Sequence, residues 1–214
     1  MKFTRPRGTN DFFGERLEVW RFVELALADY LRRCGYREMR TPIFESTELF
    51  VRAVGEATDI VSKEMYTFAD KKGRSLTLRP ENTAPVMRAF LENGLNRTGG
   101  VARFYYIGPM FRYDRPQAGR FRQFHQIGAE ALGSAGPAVD AEIIDASLGL
   151  YRVLGMPPLE VRLNSVGCPV CRPKFKEILT VSLGGLKEEL CAACLERTLT
   201  NPLRIFDCKE CGAV

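Results

Sequence analysis

The stretch that most constrains the fold runs from Ala102 to Gly133, where two strand-like runs flank an arginine-rich loop. Alternate residues of a strand share one face. On one face of the first run these are Tyr106, Gly108, Met110 and Arg112. On one face of the second run they are Phe124, Gln126, Gly128, Glu130 and Leu132. If the runs pair as an antiparallel hairpin, the two glycines leave the middle of this face bare between polar groups, which predicts room for a ligand.

The loop of this hairpin concentrates positive charge. It carries Arg112, Arg115, Arg120 and Arg122 against one acid, Asp114. Guanidinium groups bind phosphate bidentately, so the density favours a polyanion, although a merely charged, solvent-exposed loop tip has the same composition. Phe124, which follows the loop, favours the phosphate interpretation because an aromatic ring beside arginines can stack on a purine.

The length of 214 residues with 45% hydrophobic content allows one domain plus a small appendage. No apolar run approaches the roughly twenty residues of a membrane span, and the N-terminus lacks the apolar core of a secretory signal. We therefore expect a cytoplasmic protein. The formal net charge of +5 is weak evidence of an anionic partner, and its concentration in the hairpin loop says more.

The seven cysteines are not scattered. Cys34 lies alone in a helical pattern and is expected to be a small buried hydrophobe. The other six form three CxxC pairs: Cys168 and Cys171, Cys191 and Cys194, Cys208 and Cys211. Without a secretion signal, such pairs indicate metal before disulfides. They can supply a four-thiolate zinc site with two ligands to spare, and free thiols are the alternative.

Periodicity elsewhere predicts helices and strands in mixed order, and therefore an α/β (α+β) fold with an antiparallel sheet flanked by helices. The predicted helices are Glu15 to Arg33, Ser46 to Ala53 and Pro137 to Leu154. The predicted strands are Tyr36 to Glu45, a hairpin from Met65 to Leu78 turned at Asp70 to Gly73, and a short buried strand from Leu159 to Leu163. Pro42 interrupts the first strand, which places it at an edge or a kink and invites a partner.

A strand-to-helix junction lies between Leu76 and Asn93. Polar side chains and free backbone N–H groups at such a junction make Glu81 and Thr83 candidates for holding a small polar ligand. Alternatively, Asn82 or Thr83 simply caps the helix, with Pro85 in its first turn. Both interpretations can hold at once.

Several reaction types lack their motifs. The chain has no GxxxxGK[ST], GxGxxG or HExxH sequence, and its one histidine, His125, cannot form a histidine metal cluster. Alternation points His125 away from Gln126 and Glu130, and no serine or cysteine nucleophile lies near it in sequence. A packed histidine is favoured over a catalytic base.

Four segments in order carry a resemblance that covers nearly all of the chain. They are Arg7 to Asp11, Arg40 to Glu45 with its proline, Leu78 to Ala84, and Gly108 to Glu130. Together they resemble the N-terminal half of a class II aminoacyl-tRNA synthetase, and specifically the histidyl-tRNA synthetase family. The resemblance implies ATP-dependent activation of L-histidine with Mg²⁺, transfer to tRNA(His), and a homodimer through the Pro42 strand.

The resemblance also implies a role for each matching residue. Arg112 would grip the ATP α-phosphate and stabilise charge as the amino acid carboxylate attacks, a mechanism of positioning and electrostatics. The other residues implied at the ATP site are Asp114, Arg120, Arg122 and Phe124, the last stacking on adenine. At the histidine site the resemblance implies Glu81, Thr83 and Gln126 at the α-amino group and Glu130 at the imidazole. It also implies that Arg112 contacts the bound histidine.

Two departures from the family pattern stand out. Asp114 replaces the usual glutamate of the second class motif, so a contact towards adenine is expected to be longer or water-mediated. The chain also stops at Val214, before the family's histidine-specific loop, third class motif and anticodon-binding domain. Residues 1–164 would then be the first part of the catalytic core, and residues 165–214 a cysteine-rich insertion. The polypeptide alone is expected not to aminoacylate.

A rival from another functional class is the histidine-sensing regulatory subunit of ATP phosphoribosyltransferase, a non-catalytic relative of the same family. It also lacks the anticodon domain. The arginine-rich loop with its stacking aromatic favours the synthetase, because a subunit that never binds ATP or tRNA has little use for it. A fragment that binds tRNA or dimerises without chemistry is the third alternative.

Overall fold

The computed structural model describes residues 3–55, 58, 60–114, 119–165, 167–208 and 210–211. The chain divides into two compact units, Met1–Leu159 and Glu160–Val214. The assignment of residues 1–164 and 165–214 to a catalytic core and an insertion stays a prediction.

The first unit contains four α-helices and six strands among its described residues. The helices are α1 (Glu15–Arg33), α2 (Thr47–Val54), α3 (Thr83–Glu92) and α4 (Pro137–Val153). The strands are β1 (Arg37–Glu38), β2 (Phe44–Ser46), β3 (Tyr66–Ala69), β4 (Ser75–Leu78), β5 (Ala102–Phe111) and β6 (Gln123–Leu132). The mixed α/β prediction is confirmed, and α1 has the predicted bounds.

The predicted hairpin is present as β5 and β6, which pair antiparallel over their full ten residues. Tyr106 lies opposite Gly128, and Gly108 lies opposite Gln126. Because residues opposite each other share a face, this register puts the predicted positions of both strands on the same side of the sheet. β1 joins the other edge of β5 in parallel, so this sheet is mixed rather than purely antiparallel.

Both faces of the hairpin are covered by helices. On the face of Tyr106 and Met110, α3 contributes Val86 and Phe90 to a buried cluster. On the opposite face, Tyr105 packs with side chains of α1 and α4. Arg103 of β5 adds a two-pronged ion pair to Glu142 of α4, with 2.6 Å hydrogen bonds from Nε and Nη2.

The second sheet has the order β2-β4-β3. Its β3–β4 hairpin, predicted from Met65 to Leu78, is confirmed, and Gly73 takes the positive φ of 77° that the turn requires.

Two sequence predictions are wrong. The run from Tyr36 to Glu45 is not one strand: β1 and β2 belong to different sheets, and Pro42 lies between them, where no ladder needs its missing N–H. Among the described residues, β1 and β2 are each at the edge of their sheet. Leu159 to Leu163 forms no strand, and Leu159, Val161 and Leu163 are 45%, 45% and 76% exposed. Among the described residues, no strand pairs with the segment from Leu159 to Leu163.

The second unit is built of short helical elements. These are α5 (Cys171–Gly184) and α6 (Ala192–Thr200), with 3₁₀ turns at Lys187–Glu189 and Pro202–Asp207. Its core cluster consists of Leu183, Leu190, Cys194 and Ile205. Across the described parts of the chain, no helix has both the length and the apolar character to cross a membrane.

Candidate functional site

The two glycines of the hairpin face do not leave it bare. A Cβ on Gly128 would lie 2.2 Å from Cζ of Tyr106, so the tyrosine ring occupies the space above this glycine. A Cβ on Gly108 would lie 2.6 Å from Nη2 of Arg79. The prediction of an open floor is therefore wrong at both positions: the glycines make room for two side chains of the protein itself.

Arg79, which no sequence pattern singles out, holds three segments together. It is 6% exposed and follows β4 directly. Its Nε donates to the carbonyl oxygen of Pro109 at 2.9 Å, and its Nη1 donates to Thr41 at 3.1 Å and to Oδ1 of Asn82 at 3.3 Å. The available signal was an arginine directly after a predicted strand.

Three of the predicted histidine-site residues come together at the start of α3. Glu81 accepts hydrogen bonds from the backbone N–H groups of Thr83 at 2.6 Å and Ala84 at 3.1 Å. Oγ1 of Thr83 donates to Oε1 of Glu130 at 2.7 Å. The helix cap therefore comes from Glu81 rather than from Asn82 or Thr83, whose side chains make no capping bond, and the capping and site interpretations meet in one carboxylate.

The surroundings of Glu130 and Tyr106 favour the neutral form of both side chains. Burial raises the pKa of the Glu130 carboxyl, an effect that the hydrogen bond from Thr83 opposes and the charge of Glu81 reinforces. Burial likewise raises the pKa of Tyr106 to about 12, and the charge of Glu130 adds to it. A half-buried carboxyl without a cationic partner among the described residues gains most from a ligand that brings N–H donors or positive charge. Alternation places Tyr106 on the predicted face but does not show that it is a neighbour of Glu130.

Gln126 lies on β6 between the two ends of the face. It is opposite Gly108, four residues before Glu130 and two after Phe124. Residues two apart on a strand are about 7 Å apart, so Gln126 and Glu130 project from the same face roughly 14 Å from each other.

Arg112 and Phe124 meet at the loop end of the hairpin. Cζ of Arg112 lies 5.3 Å from the centroid of the Phe124 ring, and its Nε donates to the carbonyl oxygen of Pro80 at 2.8 Å. Phe124 is half-buried against the core, next to Met110 across the hairpin. The fixed guanidinium over an aromatic ring is a cation–π contact that orients both groups.

The remaining loop residues lie around the N-terminal segment. Nη1 of Arg120 pairs with Asp114 at 3.0 Å, and Arg122 covers the ring of Tyr113 with its Cζ 4.1 Å from the centroid. The carbonyl oxygen of Gly8 accepts from the backbone N–H of Arg122 at 2.7 Å. A Cβ on Gly8 would lie 2.8 Å from Cγ of Arg122, so only glycine allows this approach. Arg115 lies outside the described residues.

Three of the candidate residues line two different clefts, and neither cleft is lined by Glu130, Gln126, Arg112 or Phe124. Glu81 and Thr83 line a cleft of about 980 Å³ between α2 and α3. Arg120 lines another of about 440 Å³ with residues of the N-terminal segment, among them Arg7 and Asn10. Chemically, the first can receive a small ligand with N–H groups and the second an anion.

His125 lies on the opposite face of the hairpin, as alternation predicts. Its ring meets Trp20 edge-on with centroids 4.9 Å apart, and Phe12 at 6.2 Å. Burial lowers its pKa. It is a packed histidine away from Glu130 and Thr83.

Four of the six paired cysteines form a cluster. The sulfur atoms of Cys191, Cys194, Cys208 and Cys211 all lie within 4.8 Å of one another, a group that could hold a metal ion. Cys168 and Cys171 are exposed and lie outside that group.

The chain is similar to known histidine-specific synthetases over most of its length. Residues 8–170 match the family described as histidyl-tRNA synthetase. A histidine–tRNA ligase of Pelotomaculum thermopropionicum is 55% identical over 210 residues, which are 98% of this chain and 49% of that protein. The chain thus spans about half the length of the curated relatives it matches.

Solved structures agree with the sequence matches. An apo histidyl-tRNA synthetase of S. aureus matches with a TM-score of 0.72 and 39% identity, over 95% of this chain and 48% of the other. A protein of Bacillus halodurans C, described as an ATP phosphoribosyltransferase regulatory subunit/histidyl-tRNA synthetase, matches with a TM-score of 0.63 and 24% identity over 73% of this chain and 39% of its own, which shows a shared fold alone. With the hairpin, the residues at its two ends and these matches taken together, the chain belongs to the histidyl-tRNA synthetase family.

Proposed function

We propose that this chain is the N-terminal part of a histidine–tRNA ligase, which activates L-histidine with ATP and transfers it to tRNA(His). The observation that carries the proposal is the pairing of Thr83 with Glu130 at one end of the hairpin face that holds Arg112 and Phe124 at its other end. Phe124 and Glu130 are six positions apart on β6, about 20 Å along the strand, which suits a nucleotide and an amino acid bound end to end.

At the histidine end, Glu130 reads the imidazole, and Glu81, Thr83 and Gln126 hold the α-amino group. The desolvation that raises the pKa of Glu130 makes an unpaired carboxyl costly, so an apolar side chain of similar size is rejected while an imidazole N–H is accepted. Because Glu81 already accepts two backbone N–H groups, its position is fixed before the substrate arrives.

At the nucleotide end, the substrate is ATP with its Mg²⁺. Arg112 contacts the α-phosphate, Phe124 stacks on adenine, and Arg120, Arg122 and Asp114 lie along the remainder of the nucleotide. The histidine carboxylate oxygen attacks the α-phosphorus and pyrophosphate leaves. Arg112 stabilises the charge that accumulates on the phosphoryl oxygens, and its bond to Pro80 and contact with Phe124 orient it without rearrangement.

The proposal includes a cytoplasmic homodimer. Apolar side chains are exposed near Pro42: Ile43, Phe44 and Phe68 are 46%, 51% and 44% exposed. Phe44 lies on β2, an edge strand, and its ring is 6.3 Å from that of Phe68. A second copy would cover this surface. Light scattering is expected to give twice the mass of the chain, and a monomer at micromolar concentration would contradict this part.

Calorimetric titration of the 214-residue chain with L-histidine tests the histidine site. Glu130→Gln is expected to weaken binding by about 10- to 100-fold, since hydrogen bonds to charged groups contribute about 1.5–3 kcal/mol. Glu18→Gln, which removes the same charge from an exposed position on α1, is the matched control and should leave binding unchanged. Equal affinity of the wild-type chain and Glu130→Gln would refute the assignment of Glu130.

A longer polypeptide that contains this chain tests the reaction. Histidine-dependent exchange of pyrophosphate into ATP is expected, whereas tight histidine binding without exchange would favour the regulatory subunit. Residues 1–214 alone are expected to form no histidyl-tRNA, because they span half the length of the relatives, and measurable formation would contradict that.

A further inference from the structure

The four clustered thiols have the spacing of a metal cage rather than of disulfides. Sulfur–sulfur distances are 3.8 Å for Cys191 and Cys208, 3.7 Å for Cys191 and Cys211, and 3.5 Å for Cys208 and Cys211. A disulfide would require about 2.05 Å. Zinc–thiolate bonds of about 2.3 Å in a tetrahedron place the sulfur atoms about 3.8 Å apart. The three distances fit a tetrathiolate zinc site, and Sγ of Cys194 lies within 4.8 Å of the other three sulfur atoms.

The surroundings suit a negatively charged centre. Four thiolates around Zn²⁺ carry a net charge of −2, which needs nearby donors. The backbone N–H of Glu210 donates to Sγ of Cys208 at 3.4 Å, and Nη1 of Arg197 lies 3.9 Å from Sγ of Cys194. Arg197 also donates to the carbonyl oxygen of Arg204 at 3.5 Å, which holds it in place.

The ligands come from two places that must be held together. Cys191 precedes α6 and Cys194 lies in its first turn, whereas Cys208 and Cys211 follow the 3₁₀ turn at Pro202–Asp207. Apart from Cys194, the buried apolar core of this unit consists of Leu183, Leu190 and Ile205. Units of this size with few buried apolar residues, as among the described residues here, are commonly stabilised by a metal or a covalent link.

The remaining CxxC pair, Cys168 and Cys171, is separate from this cluster. Sγ of Cys171 accepts from the backbone N–H of Cys168 at 3.0 Å, and Sγ of Cys168 accepts from that of Cys171 at 3.4 Å. Both residues are exposed, and neither belongs to the cluster found among the described residues. The two thiols are therefore engaged with each other's backbone and not with the other four.

We infer that this chain binds one structural Zn²⁺ through Cys191, Cys194, Cys208 and Cys211, and that Cys168 and Cys171 are not ligands. The ligand set is complete, so no position is open for water or substrate, and the ion stabilises the second unit without taking part in a reaction. The inference does not depend on the ligase proposal.

Elemental analysis of the untagged 214-residue protein, purified without added metal, tests the inference. We expect about one equivalent of zinc in the wild type and in Cys168→Ser/Cys171→Ser. We expect less than a tenth of an equivalent in Cys208→Ser/Cys211→Ser. The first double variant is the matched control, because it removes a CxxC pair of the same spacing.

A measurement on the wild type keeps the inference falsifiable if the cluster variant does not fold. Iodoacetamide with peptide mass spectrometry is expected to label Cys168 and Cys171 in the native protein and to spare the four cluster thiols until a chelator is added. Less than a tenth of an equivalent of zinc in the wild type, iron in place of zinc, loss of zinc in Cys168→Ser/Cys171→Ser, or equal labelling of all six thiols would each overturn it.

Discussion

Gly128→Ala tests how the hairpin face is filled. The added Cβ would lie 2.2 Å from Cζ of Tyr106, 2.3 Å from its hydroxyl oxygen and 2.7 Å from Cε1. Carbon atoms in contact are about 3.5–4.0 Å apart, so the ring would have to move by roughly 1.5 Å. Tyr106 is 7% exposed and packs against Val86, Phe90 and Met110, which leaves it little room to move.

The expected cost follows from this overlap. Overpacking of a well-packed core costs about 1–3 kcal/mol. Alanine regains about 0.5–1 kcal/mol relative to glycine in a strand. We therefore expect the free energy of unfolding to fall by roughly 1–2 kcal/mol, which lowers the urea midpoint by about 1 M or less at an ordinary slope of about 2 kcal/mol/M.

Trp20 provides the assay. It is the single tryptophan, it belongs to the first unit, and its ring contacts His125 of β6, so its fluorescence reports unfolding of the hairpin. Tyr106→Leu removes the ring that the added Cβ would strike. The double variant should therefore be more stable than the sum of the two single effects predicts, by a coupling of about 0.5–3 kcal/mol. An unchanged midpoint in Gly128→Ala, or strictly additive effects, would refute the packing argument.

Two further predictions concern residues that no ligand needs to reach. Arg79→Met leaves the carbonyl oxygen of Pro109 without this donor, whereas Oδ1 of Asn82 keeps its hydrogen bond from Oγ1 of Thr41 at 2.6 Å. An unsatisfied buried acceptor costs about 1–3 kcal/mol, so the free energy of unfolding in urea should fall by that amount. A loss below about 0.5 kcal/mol would contradict the linking role of Arg79. Burial lowers the pKa of His125, so the unfolded chain binds more protons around pH 6.5, and stability should fall as the pH drops from about 7.5 to 5.5. His125→Phe should flatten this fall, and an unchanged slope would mean that other groups cause it.

Local patterns were sufficient for the elements of the first unit that have strong periodicity. The apolar stripe of α1 predicted its bounds, and the alternation in β5 and β6 predicted which side chains share a face. His125 was directed away from Glu130 by the same period of two. These features depend on backbone geometry within one segment, which the order of residues specifies.

The candidate site was only partly accessible to this reasoning. Glu81, Thr83 and Glu130 were named from the sequence, but the bond between Thr83 and Glu130 joins residues 47 positions apart. The filling of the hairpin face also depends on contacts between separate segments: strand register places Tyr106 beside Gly128, and Arg79, which follows β4, reaches Gly108. Alternation shows which residues share a face but not which side chain of the protein packs on it, so the pattern predicts an open surface where Tyr106 and Arg79 lie.

The sequence by itself determined the family, the mixed order of helices and strands, and the two strands whose alternation aligns the site residues. The tertiary structure alone decided that Pro42 separates two sheets, that Thr83 bonds to Glu130, and that four of the six paired cysteines converge. Each of these depends on contacts between segments distant in sequence, where packing and the pairing of buried polar groups select one arrangement from several that local propensity allows equally.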